Sequence, residues 1–374
     1  MSITEVLHRN VLERDDLVDI LGCSDSAEME QVRSKAEKVL LENCGNEVFY
    51  RGLIEFSNVC ASDCLYCGIR KSNDEVERYT LSKEEMVSAA QWCARQGYGS
   101  LVLQSGERRD RTFVDLVEST VREIKAVTVS ETLPKGLGIT LCCGEQESQV
   151  YKRWYDAGAH RYLLRIETSD PALFSAIHPP SQKLENRTEC LKELKKIGYQ
   201  VGTGVMIGFP GQSVENLADD ILFFRKMDVD MIGMGPYIVH PNTPMHSHIN
   251  FFNENREEIF GKSLLMIAAT RLALKDVNIA ATTALQTMKQ DGREQGLTHG
   301  ANVIMPQLTP MKVRKNYLLY EGKPCLDENA EQCRFCLQNR IHSVDRVVGL
   351  NKWGDSRHWA RRNLSEKGEG NIGY

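Results

Sequence analysis

From residue 48 onward, short apolar and β-branched runs alternate with amphipathic stretches, and eight such runs precede residue 310. They are VFYRGLIEFS, SLVLQS, GITLCC, RYLLRIE, QVGTGVMIG, MIGMGPYI, IAATTA and NVIMPQ. Between them lie helical patterns such as SKEEMVSAAQWCARQG, where Ser82 and Glu85 form a capping box and Gly97 supplies a C-terminal stop. A strand followed by a crossover helix returns parallel to its predecessor, so eight strand–helix units predict an α/β chain closed as a (β/α)8 TIM-type barrel. Residues 1–45 read as an N-terminal helical cap over one end of the barrel, built from SITEVLHRNVL and DSAEMEQVRSKAEKVLLEN, with Asp25 as an N-cap. The barrel is expected over 46–310, and 311–374 form a C-terminal cysteine-containing extension whose last ten residues, SEKGEGNIGY, read as mobile.

Composition narrows the function classes. No window approaches the roughly 18 uninterrupted apolar residues of a membrane span, and the N-terminus lacks a basic segment followed by an apolar one. A soluble, cytoplasmic protein is expected, with no membrane partner. A net charge of −5 offers no basic stripe for phosphate backbones, so nucleic acid is not an expected partner. Twelve cysteines in a reducing compartment point to metal or redox chemistry rather than disulfides, and to an oxygen-poor cytosol.

Chemistry in parallel barrels collects where the strands end, because the loops there converge on one mouth. The first run leads into CASDCLYC, residues 60–67, a C-x3-C-x2-C spacing. The second leads into QSGE, the third into TLCCGE, the fourth into RIET and the seventh into ATTA. Thiolates hold iron–sulfur clusters, and three of them on one loop can take three corners of a cubane, leaving one iron open. A structural zinc site would recruit a fourth ligand, and no Cys or His follows closely after Cys67. An open iron needs a ligand from elsewhere. Cys23, Cys44, Cys93 and Cys190 fall in helical contexts and read as small buried residues, and His240, His246 and His248 as a loop.

The cysteine spacing, with an aromatic residue before its last member, resembles the radical S-adenosylmethionine (SAM) superfamily, in its biotin synthase-like branch. The resemblance implies a 4Fe-4S cluster on Cys60, Cys64 and Cys67, its open iron chelated by the amino and carboxyl groups of SAM. It further implies a SAM site built from Tyr66, Ser105, Gly106, Glu107, Glu167 and Arg187, with MIGFPGQ (206–212) beside the adenine. Ser105 departs from the superfamily's usual first glycine. The implied activity is reductive cleavage of SAM to a 5′-deoxyadenosyl radical, with no residue assigned as acid or base. Biotin synthase holds a second cluster deep in its barrel; the matching positions here, around Ser105, Gly138, Gly202 and Ala280, offer no ligand, and Cys142 and Cys143 are misplaced for it.

Longer blocks, among them FSNVCASDCLYCGIR, AGAHRYLLRIET, DMIGMGPYIVHPNTPM and GANVIMP, resemble the HydE family of FeFe-hydrogenase maturases from about residue 40 to about residue 355. That family implies an organometallic substrate, an iron–cysteine complex with two carbonyls and one cyanide, in a pocket of Arg51, Thr140, Arg165, Met231, Thr282, Thr283, Met305 and Tyr317. It implies the maturases HydG and HydF as partners, flavodoxin or ferredoxin as reductant, and a second, auxiliary Fe-S cluster on Cys325, Cys333 and Cys336. A zinc knob is the alternative for that trio. A related mutase or synthase, of the methylornithine synthase or biotin synthase kind, and a non-catalytic Fe-S or iron carrier are the alternatives for the whole chain.

Overall fold

The computed structural model describes residues 2–327 and 330–366, apart from the side chains at 332, 333, 365 and 366. Each of the eight apolar runs carries strand. The first divides into β1 (Glu47–Tyr50) and β2 (Gly52–Ser57), followed by β3 (Ser100–Ser105), β4 (Gly138–Cys142), β5 (Arg161–Leu163) and β6 (Gln200–Thr203). Further on come β7 (Met206–Ile207), β8 (Met231–Ile232), β9 (Gly235–Pro236), β10 (Asn278–Ile279) and β11 (Val303–Ile304). Seven of them pair in parallel in the order β10-β8-β6-β5-β4-β3-β2. Backbone bonds on the last run close the ring: Asn302 N donates to Ile279 O at 2.9 Å, Arg51 N to Ile304 O at 2.9 Å, and Leu53 N to Pro306 O at 2.7 Å.

The strands are buried nearly throughout, as expected of a parallel sheet covered by helices. The covering helices start where the sequence signals them. Ser82 and Glu85 exchange both capping-box bonds ahead of helix Lys83–Arg95, and the Asp25 carboxylate accepts from Ala27 N and Glu28 N ahead of helix Ser26–Cys44.

The N-terminal helices pack against helices of the outer layer. Helix Ser26–Cys44 packs on helix Arg256–Ala273, and helix Arg14–Leu21 on helix Val214–Met227. The foot is closed from the other terminus. Strand β12 (Val347–Val348) pairs with β1, and the chain then runs beneath the first residues of several strands. Arg161 Nη1 donates to Trp353 O at 2.9 Å and to Asp355 at 2.7 Å. Asn278 Nδ2 donates to Gly354 O at 2.9 Å, and Ser356 N to Gln200 Oε1 at 3.0 Å. The Trp353 ring sits 4.5 Å from that of His160 and under the Lys125 ammonium at 4.3 Å. Residues 367–374, most of SEKGEGNIGY, lie outside the described residues. Among the described residues no helix is long and apolar enough to cross a membrane.

Candidate metal centre and cavity

The cysteine loop leaves the mouth end of β2 and is fixed on every side. Ala61 N donates to Glu107 O at 2.8 Å, Leu65 N to Ile177 O at 2.9 Å, and Gly68 N to Leu319 O at 3.0 Å. From within, Arg78 donates to the carbonyls of Asn58, Ile69, Arg70 and Asn73 at 2.7, 2.8, 2.6 and 3.0 Å. Against this loop lies Gly106, where a Cβ would come within 2.5 Å of Val59 O and 2.8 Å of the Cys60 Cβ. Only glycine permits that approach. It brings Glu107 N to 3.4 Å from Cys60 Sγ, an N–H aimed at the sulfur.

Burial pushes all three thiols up, Cys64 to about 12 and Cys67 well above the ordinary thiol value, against backbone donors at Cys60 and Cys67 and against Arg187 and Tyr66 at Cys64. Such thiols ionise when a metal takes the proton's place. Among the described residues no three His, Cys, Asp or Glu side chains close around one metal ion. An amide donor directed at the Cys60 sulfur suits the thiolate charge of a cluster ligand. The donor set fits a 4Fe-4S cluster held at three corners.

Beside it stands a buried charge network. Arg187 Nε donates to Glu145 at 2.9 Å and Nη1 to Arg165 O at 2.7 Å, and Nη2 stands 3.7 Å from Glu107. Burial opposes its charge, but Tyr66, Glu107 and Glu145 hold the guanidinium above the ordinary arginine range. His178, pushed down to about 3 by burial and by Arg187, is neutral. Its Nδ1 lies 2.9 Å from Phe174 O, which assigns the proton there and leaves Nε2 to accept from the Tyr66 hydroxyl at 3.3 Å. Glu167 adopts φ 65°, rare for a residue with a side chain, and pairs with Arg165 at 3.0 Å.

A cavity of about 180 Å³ opens inside the mouth. Tyr66, Arg165, Glu167, Thr282, Thr283 and Met305 line it, together with Glu55, Gln104 and Lys323. The remaining residues expected in one pocket are divided. Arg51, Thr140 and Met231 line a separate, deeper space of about 30 Å³ that meets the first at Met305. There Thr140 accepts from Arg161 at 3.0 Å, and Arg51 donates to Met231 Sδ at 2.9 Å and to Gly354 O at 3.2 Å. Tyr317 stands behind the wall, its hydroxyl accepting from Gln104 at 3.3 Å. Ser105 turns its hydroxyl back onto Gly106 O at 2.8 Å.

Several groups at the site escape a reading of motifs. Glu145 and His178 position Arg187 and Tyr66, and Gln182 accepts from Cys64 at 3.3 Å. Glu55 and Lys323 form a buried pair at 2.5 Å, with Gln307 donating to the same carboxylate at 2.8 Å. GEQ just after CC in the third run was the available signal for Glu145; Lys323 had none. Cys325 and Cys336 are half-buried in the extension, Cys336 on helix Ala330–His342 beneath Arg340 Nε at 3.4 Å. The Cys333 side chain lies outside the described residues.

Comparison with known proteins places the chain in a family. A model of the radical SAM superfamily matches residues 54–224. The chain is 41% identical, over 94% of its own length and 96% of the relative's, to the FeFe hydrogenase maturase subunit HydE of Thermotoga maritima. It is 27% identical to 3-methylornithine synthase of Methanosarcina acetivorans, over 82% and 83% of the two chains. In fold it resembles the crystal structure of methylornithine synthase, with a TM-score of 0.76, 23% identity, and 94% and 98% of the chains covered. The chain belongs to the radical SAM superfamily and, within it, to the family of the maturase HydE: it is an enzyme that uses a 4Fe-4S cluster and SAM.

Proposed function

We propose that this radical SAM enzyme acts in assembly of the FeFe-hydrogenase cluster, on an iron–cysteine complex bearing two carbonyls and one cyanide. The observation that carries the reading is likeness to a HydE maturase along nearly the whole of both chains. The cavity supports it: cations and hydroxyls for a carboxylate or cyanide line it together with Met206 and Met305, which offer a soft apolar surface for carbonyl ligands.

In this reading Cys60, Cys64 and Cys67 hold the cluster, and Tyr66, Ser105, Gly106, Glu107, Glu167 and Arg187 hold SAM. Bound there, the two supply one-electron reductive cleavage of SAM to methionine and a 5′-deoxyadenosyl radical. The chain's own residues bind and orient. Arg187 is aligned beforehand by Glu145 and the Arg165 carbonyl, which suits bidentate pairing with a carboxylate. Tyr66 is held edge-on by His178. Arg165, Thr282 and Thr283 hold the polar end of the substrate, and the enclosing barrel keeps water from a reactive intermediate. No acid or base is assigned.

HydG as supplier of the complex, HydF as recipient, flavodoxin or ferredoxin as reductant, a cytoplasmic setting and an auxiliary cluster on Cys325, Cys333 and Cys336 belong to the same proposal. Likeness in sequence to 3-methylornithine synthase favours a related radical SAM mutase or synthase as the second reading. The test is anaerobic: the reconstituted chain with dithionite and SAM, 5′-deoxyadenosine being quantified with and without the synthetic complex. Stimulation by the complex, with adenosyl label on its cysteine sulfur, is expected. Cleavage indifferent to the complex would overturn the substrate.

A further inference from the structure

Hydrogen bonds donated to the sulfurs of an iron–sulfur cluster help set how readily it takes an electron. Two of the three loop cysteines have backbone donors for this. Glu107 N points at Cys60 Sγ from 3.4 Å, joined by the backbone of Ser62, and the backbone of Ile69 favours the thiolate of Cys67. Cys64 is met by side chains instead. Arg187 acts on it through its charge, and Tyr66 has spent its hydroxyl proton on His178. The side chain in hydrogen-bond contact is Gln182, from the segment between helices Pro171–Ile177 and Leu184–Ile197.

The Gln182 amide stands between two partners. Its Oε1 accepts from the Cys64 thiol at 3.3 Å, and its Nε2 donates to Ser62 Oγ at 2.9 Å. Its backbone N–H is tied to Pro179 O at 2.9 Å, so the side chain springs from a fixed turn. That arrangement serves the free thiol. A thiolate has no proton to give, and a carbonyl oxygen facing it is repelled. A half-turn of the amide about its last side-chain bond exchanges oxygen and nitrogen at nearly the same positions. Nε2 then donates to the Cys64 sulfur, and Oε1 meets Ser62, whose hydroxyl donates as readily as it accepts. Both neighbours reverse roles together.

We propose that Gln182 acts through Cys64: its amide turns when the thiolate binds iron and donates to that sulfur, raising the reduction potential of the barrel cluster. This rests on Cys64 as a cluster ligand and is independent of the substrate. The test uses the reconstituted full chain carrying Cys325→Ser and Cys336→Ser, in which the barrel site alone reports, and reads the midpoint potential by redox titration with electron paramagnetic resonance. Q182M keeps the length and loses the donor. Its reduction equilibrium is expected to fall about tenfold, or about 59 mV for one electron, the worth of one charge-assisted bond. Q182E sets a carboxylate against the sulfur and should fall further. Potentials of both variants equal to that of the parent would overturn the proposal, because a glutamine that only packs the loop changes iron content and leaves the potential alone. A second readout needs no variant. With heavy nitrogen in the glutamine side-chain amides, pulsed resonance of the reduced cluster should show a weak nitrogen coupling, and its absence would equally overturn the proposal. Cys64→Ser separates the two layers. Loss of its cluster supports the ligand, so that unmoved potentials fault the glutamine alone; an intact cluster removes the ligand assignment and this proposal with it.

Discussion

Cys67 is the loop thiol whose ionisation burial opposes most strongly. Coordination is what makes a thiolate acceptable there, so its replacement is expected to act on the cluster before anything else. Cys67→Ser should reconstitute with less iron and lose SAM cleavage in proportion, with circular dichroism unchanged; full SAM cleavage by this variant would contradict the ligand assignment. The thiols and the glycine behind them were legible because their chemistry is local: spacing sets the loop and Gly106 is demanded by contact with it. Glu145, His178 and Lys323 were not, because each gains its meaning from a partner 42, 112 or 268 positions away.

At the scale of elements, the cysteine loop is irregular backbone that depends on one side chain. Arg78 gathers five carbonyls between Asn58 and Asn73. Arg78→Ala is expected to cost about 2 kcal/mol, several neutral acceptors losing a charged donor, read as a lower urea midpoint, and to lower the iron-to-protein ratio after reconstitution. An unaltered iron ratio would show that the loop organises itself. Strand and helix positions were readable beforehand, since β-branched runs and capping signals such as Ser82 with Glu85 act within a few residues. The division of the expected pocket into two spaces was not. It follows from the depth of each residue along its strand, with Arg51 and Thr140 facing the foot and Arg165 and Thr282 the mouth.

Across the whole molecule, the barrel is open to SAM at its mouth and sealed at its foot by the segment from Val347 to Glu366. That seal reads as a polar tail in sequence because its partners are the first residues of distant strands. Helix Arg357–Glu366 is latched by His358, which lies 3.2 Å from Asp276 and 2.5 Å from Asp228. Hydrogen bonds to Asp276 and then Asp228 raise the histidine above its ordinary 6.5 despite burial. A raised value means stability fully present below 6.5 and lost as pH climbs through the folded-state value. His358→Gln should therefore lower the melting temperature clearly at pH 6 and little at pH 9; an equal loss at both would assign the residue to packing alone. In the proposed arrangement three cysteines leave one iron for SAM. Its most direct test is electron paramagnetic resonance of the reduced cluster in a Cys325→Ser, Cys336→Ser background, where the barrel site alone reports, titrated with SAM. A saturable change in the cluster's g values is expected as SAM takes the open iron, and a spectrum indifferent to saturating SAM would contradict it.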